Sequence, residues 1–212
     1  MSYTWNLPTK VLFGAGKVKE LCNEKMPGKK ALLVISNGKS VRENGALTAV
    51  EQGLTAAGVD YVVFDKIQSN PLEPTIMEGV ECARQNDCDF VIGLGGGSVL
   101  DSATIISAIA PQKEGRVWDY VQGGTGGGRT LTEKPLPYIE ITTSAGTGSE
   151  VDCWGVVTNA KAVWIFYRLQ KQSDPLLPGE RGVKGHTAHI RQGLGSHCAD
   201  VNAFHLFQFL CR

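Results

Sequence analysis

Phe90-Val91-Ile92 runs without a polar break into Gly93-Leu94-Gly95-Gly96-Gly97-Ser98, and a mostly apolar stretch from Val99 to Ala110 follows until Pro111 stops it. Three consecutive glycines lose too much backbone freedom to extend a strand or a helix, so they mark the turn between the two. The junction therefore reads as strand, tight turn, helix. An apolar run of this kind is the pattern of a strand covered on both faces, as in a parallel sheet.

The chain before this junction repeats the alternation. Ala31 to Ile35 is an apolar strand, followed by a helix carrying Val41, Leu47, Val50 and Leu54 near helical spacing and closed by Ala56-Ala57-Gly58. Tyr61 to Phe64 is a second strand, Asn70-Pro71 a turn, and Pro74 opens a helix with Ile76, Val80 and Ala83 on its apolar face. Tyr138 to Thr142 is a further strand. Strands alternating with helices predict an α/β fold, a parallel sheet with flanking helices. Gly123 to Gly128 reads as a loop, either a surface excursion or a segment beside a ligand. Lys161 to Gln172, with Val163, Ile165, Phe166 and Leu169, is compatible with one helix, beyond which the pattern is illegible.

Composition excludes some partners. The 21 basic and 21 acidic residues balance, which gives no support to nucleic-acid binding. No apolar stretch approaches the roughly 20 residues that span a bilayer, and the N-terminus lacks the layout of a secretory leader. The six cysteines are scattered and read as free thiols in a reducing compartment, so the cytoplasm is expected.

The glycine turn carries the chemistry. Gly95, Gly96 and Gly97 bring backbone N–H groups within reach of an anion, and the helix N-terminus points its free N–H groups at the same spot. Ser98 is expected to cap that helix, and Asp101, three residues on, either complements the local dipole or reaches back as an acidic capping partner. The turn follows neither the dinucleotide fingerprint after a first strand nor a Walker loop, which would end in Lys-Ser or Lys-Thr. A tight turn with no ligand is the competing reading.

Strand, Gly-Gly-Gly-Ser-x-x-Asp, and a later strand ending in Gly146-Thr147-Gly148-Ser149-Glu150 together resemble the iron-containing (group III) alcohol dehydrogenase family, its butanol dehydrogenase-like members above all. Phe13-Gly14-Ala15-Gly16 and Asn70-Pro71 fall in the family's order, and the likeness covers residues 1 to about 160. The resemblance implies a Rossmann-like N-terminal domain, of the dehydroquinate synthase type, binding NAD or NADP. It also implies a helical second domain supplying most ligands to Fe2+ or Zn2+, and the oxidation of primary alcohols or reduction of aldehydes. It places Gly95, Gly96, Gly97, Ser98 and Asp101 at the pyrophosphate, Thr143 and Ser144 on the next strand edge, and Asn70 near the cofactor. At the first strand end many NAD-dependent members carry an Asp, where this chain reads Ser36-Asn37-Gly38-Lys39-Ser40. Without a carboxylate, Gly38, Lys39 and Ser40 can accept the 2′-phosphate of NADP, although Lys39 also reads as a solvated turn residue.

Two departures stand out. The family pattern Asp-x-x-Lys ends here in Thr104, which predicts a lost positive charge near the phosphates. The likeness also fades near Ala160, so residues 161–212 read as an atypical tail, truncated or frame-shifted, with the helical domain missing. His186, His189, His197 and Asp200 lie in glycine-rich sequence and are not assigned as metal ligands. No catalytic residue is assigned, and the chain alone is expected to be inactive, or to act as a nucleotide-binding remnant or an interaction module. Loss of the second domain would expose apolar surface and favour a homo-oligomer.

Overall fold

The computed structural model describes residues 10–121, 125–151 and 154–159, together with the backbone course of strands 165–168 and 206–207. Four parallel strands form its centre: β2 (Lys30–Ser36), β3 (Asp60–Ile67), β4 (Phe90–Gly95) and β5 (Tyr138–Thr142). Their spatial order is β5-β4-β2-β3. The far side of β5 pairs antiparallel with β8 (Leu206–Phe207), which pairs with β1 (Val11–Leu12).

Both faces of the sheet are covered, as the apolar runs predict. In β2, Leu32 and Val34 turn to one face while Ala31, Leu33 and Ile35 turn to the other, because side chains alternate along a strand. The first face carries α3 (Glu73–Gln85) through Ile76, Met77, Val80 and Ala83, and α4 (Gly97–Ile109) through Val99, Ala103, Ile106 and Ile109. The second face carries a 3-10 helix (Lys17–Asn23), α1 (Ser40–Glu43) and α2 (Ala46–Ala56). A further short helix, α5 (Val117–Tyr120), packs beside α3.

Two expected elements differ. The helix from Val41 to Leu54 is broken at Asn44-Gly45. Gly45 takes a left-handed φ of 79°, and the Asn44 side-chain oxygen accepts the Ala46 N–H at 3.0 Å, so a local turn outcompetes continuous helix. The helix expected over Lys161 to Gln172 gives way to β7 (Ile165–Arg168), paired antiparallel with β6 (Trp154–Val157). Three of its four residues are β-branched or aromatic, a composition that suits a strand with a partner beside it. Among the described residues no helix is long and apolar enough to cross a membrane.

Residues distant from the site fix the frame. The Arg84 guanidinium donates to the carbonyls of Ile109, Ala110 and Gln112 at 3.1, 2.9 and 2.6 Å, closing the C-terminus of α4. Buried Gln112 then binds Ala108, Thr132 and Glu133 through its amide, tying the segment that leads into β5 to the same helix end.

Candidate functional site

The chain passes from β2 to the adjacent β3 and then crosses back to β4 on the other side of β2. The strand order therefore reverses between β2 and β4, and open α/β sheets bind ligands at the carboxyl end of such a reversal. Because the four strands are parallel, Ser36–Ser40, the turn at Asn70, Gly96–Ser98 and Thr143–Ser144 all emerge on this edge. A groove of about 670 Å³ lined by Asp65, Lys66, Glu78, Cys82 and Arg116 lies instead on the flank between β3 and α3. Topology selects the carboxyl edge over that groove.

At the centre of the edge is the N-terminus of α4, a helix of 13 residues. Its first N–H groups have no intrahelical partner, and its N-cap, Gly96, in extended backbone, has no side chain with which to cap them. Ser98 is thus not the expected cap. It lies inside the helix, and its Oγ accepts the Asn70 N–H at 3.3 Å. Nor does Asp101 stand in the first turn. It is the fifth residue of α4 and 8% exposed, too far along the helix to reach back to the cap. A helix end that its own N-cap residue does not cap suits an anion.

The glycines serve space here, not left-handed backbone, since none of Gly95, Gly96 and Gly97 has a positive φ. A Cβ on Gly95 would stand 2.7 Å from Val99 Cγ2. One on Gly97 would stand 3.2 Å from Thr147 Cγ2 and 3.3 Å from Ser149 Oγ. A second wall comes from the segment after β5: the Thr143 N–H donates to the Gly95 carbonyl at 2.9 Å, and Thr142 Oγ1 donates to the Ser144 carbonyl at 2.7 Å. Gly146 and Gly148, at φ 100° and 74°, then fold the loop back so that Thr147 and Ser149 stand over Gly97. In the sequence Thr147 and Ser149 are only letters of a motif; nothing in one sequence pairs position 97 with 147 or 149.

The structure thus joins Asn70, Gly95, Gly96, Gly97, Ser98, Thr143 and Ser144 in one contacting group. Gly38, Lys39 and Ser40 are exposed on the same edge beyond β2, where the Asn37 N–H donates to the Ile67 carbonyl at 2.8 Å. Thr104 corrects another expectation. It is buried seven residues into α4, where its Oγ1 donates to Glu140 on β5 at 2.7 Å. At about 1.5 Å per residue that is roughly 10 Å from the helix start, so position 104 faces the sheet and not the phosphates. Gly123 and Gly124, and the histidines 186, 189, 197 and 205, lie outside the described residues. Among the described residues no three His, Cys, Asp or Glu side chains stand together as metal ligands.

The family model for iron-containing alcohol dehydrogenases matches residues 8–178. NADH-dependent butanol dehydrogenase B of Clostridium acetobutylicum is 32% identical over 160 residues, spanning 75% of this chain and 39% of its own. The 1,3-propanediol dehydrogenase of Citrobacter freundii is 39% identical over 134 residues, 63% of this chain and 33% of its own. Among solved structures, NADH-dependent butanol dehydrogenase A of Thermotoga maritima superposes with a TM-score of 0.68 at 31% identity, covering 76% of this chain and 39% of its own. An archaeal alcohol dehydrogenase from a Red Sea brine pool gives 0.72 at 34% identity, with 79% and 43% covered. The chain thus spans about two fifths of the length of the relatives it matches.

Proposed function

Because the chain belongs to the iron-containing alcohol dehydrogenase family, we propose that residues 1–160 form a unit that binds a nicotinamide dinucleotide and serves the interconversion of a small primary alcohol and its aldehyde. The observation that carries this is the uncapped N-terminus of α4, set at the reversal of strand order and walled by the loop after β5. Backbone N–H groups of Gly97 and Ser98 hold the pyrophosphate, and the missing Cβ atoms leave room for Val99, Ser144, Thr147 and Ser149 to pack around the turn. Thr143, Ser144 and Asn70 border it. When bound, the nicotinamide supplies or accepts the hydride. The protein's part is to bind and orient the dinucleotide, and to shield it on the side of the sheet edge.

The two butanol dehydrogenases compared are named for NADH, whereas the end of β2 here has no carboxylate and carries exposed Lys39 and Ser40. Such an end accepts a 2′-phosphate without charge repulsion, so NADPH fits as well as NADH, and Lys39 favours it. Iron or zinc is the metal the family name and the resemblance imply. The described residues do not fit it, since they bring no three ligands together, and no step of the reaction is assigned to a metal here.

Calorimetric titration of the 212-residue chain with NADPH and NADH, without and then with ferrous or zinc ion, tests the reading. Saturable binding that is independent of metal is expected. A chain shown to be folded by circular dichroism that binds neither dinucleotide at millimolar concentration overturns it. Residence in the cytoplasm and self-association complete the proposal, the latter checked by light scattering.

A further inference from the structure

We propose that Ser98 is a positioning residue, whose hydroxyl holds the turn at Asn70 against the glycine cradle. The inference concerns placement, and its consequence for ligand affinity rests on the function proposed above. Asn70 has a φ of 55°, the left-handed region that L residues enter at a cost and that Asn tolerates better than most. Its N–H donates to Ser98 Oγ at 3.3 Å, from 28 residues away in sequence. Ser98 is the second residue of α4 and follows Gly97 directly. The bond therefore joins the turn after β3 to the helix end that forms the cradle.

A second anchor leads to the same helix. The Thr158 N–H donates to the Pro71 carbonyl at 2.7 Å, and the Glu73 N–H donates to the Thr158 carbonyl at 3.0 Å. Thr158 follows β6, and β6 is pressed onto α4: a Cβ on Gly155 would stand 2.6 Å from Ile105 Cγ1 and 3.0 Å from the Asp101 carbonyl oxygen. The segment from Asn70 to Glu73 is thus fastened to α4 at one end by Ser98 and at the other through β6. Among the described residues no other acceptor holds the Asn70 amide. A hydroxyl carries one O–H and two lone pairs. Asn70 uses one of those lone pairs, and alanine at position 98 would leave the Asn70 amide without that acceptor.

The test compares wild type, S98A, S98T and N70G in the 212-residue chain. Amide exchange followed by NMR is read first, without ligand. Loss of the hydroxyl in S98A is expected to speed exchange at Asn70 by about tenfold, with S98T within about threefold of wild type and the amides of β4 unchanged. Exchange at Asn70 that stays at the wild-type rate in S98A overturns the proposal, whatever the chain does with a dinucleotide. NADH affinity is read second. S98A is expected to weaken it about five- to tenfold, but less than about twofold in the N70G background, where glycine adopts the left-handed conformation unaided. Equal losses in both backgrounds overturn the positioning role in favour of direct ligation. Wild-type chain that binds no dinucleotide rejects the proposed function, and the exchange result still decides the placement of Ser98.

Discussion

Gly95→Ala is the most direct probe of how the cradle is built. The new methyl would lie 2.7 Å from Val99 Cγ2 and 2.8 Å from Val99 Cβ. Carbon atoms pack comfortably at about 3.5–4.0 Å, so roughly 1 Å of separation must be found. Val99 cannot supply it by swinging away, because a β-branched side chain on a helix has one strongly preferred rotamer and this one is 3% exposed. The first turn of α4 must lift from β4 instead. Overpacking of this kind costs about 1–3 kcal/mol of stability. The same lift moves the N–H groups of Gly97 and Ser98 and lengthens the bond from Thr143 to the Gly95 carbonyl, now 2.9 Å. Urea unfolding should show a lower midpoint with an unchanged slope, and calorimetry should show dinucleotide binding weakened by about tenfold or more, equivalent to about 1.4 kcal/mol. The pair G95A/V99A is expected to be less destabilised than the sum of the two single changes, since V99A opens the room that the new methyl needs and the methyl partly fills the space V99A leaves. Unchanged stability and affinity in G95A, or strict additivity in the pair, would refute the reasoning.

Other outcomes follow from the same structure. Arg84→Ala removes three carbonyl contacts at the end of α4 and should cost about 2 kcal/mol in urea unfolding; Arg84→Lys should recover less than half of that, because an ammonium cannot reproduce the planar fork. Lys39→Glu, at an exposed position, should leave stability within about 0.5 kcal/mol while weakening NADPH binding relative to NADH; a preserved ratio in paired titrations removes Lys39 from cofactor choice. Burial pushes the Cys88 thiol up from about 9 to about 11, so iodoacetamide at pH 8 should spare it in the folded chain and reach it after unfolding, as peptide mass mapping can show. The folded state then holds a proton that the unfolded state has lost between pH 9 and 11, so this group makes stability fall as pH rises through that window and has no effect below it.

The sequence by itself determined the fold class and the places of the central strands, while packing carried β3 on to Ile67 and β4 through Gly95. Phe90 to Ile92 and Ala31 to Ile35 are apolar at every position, which only a strand buried on both faces can satisfy, and β5 was legible from Tyr138 to Thr142 to the residue. Local chemistry also marked the glycine turn as a place suited to an anion. What tertiary structure decided is where those letters meet. Ser98 looked like a cap because Ser commonly caps helices; the cap is instead Gly96, two residues earlier, and the hydroxyl is claimed by Asn70, 28 residues distant. Thr104 looked like a lost phosphate contact because spacing along the chain says nothing of which face of α4 a residue occupies; packing puts it over Glu140. Gly97 needs no special φ, and its missing side chain is explained only when Thr147 and Ser149 are folded onto it. Backbone propensities and apolar periodicity are properties of neighbours in sequence. A binding edge is made of the carboxyl ends of strands brought side by side, and only the fold says which ends those are.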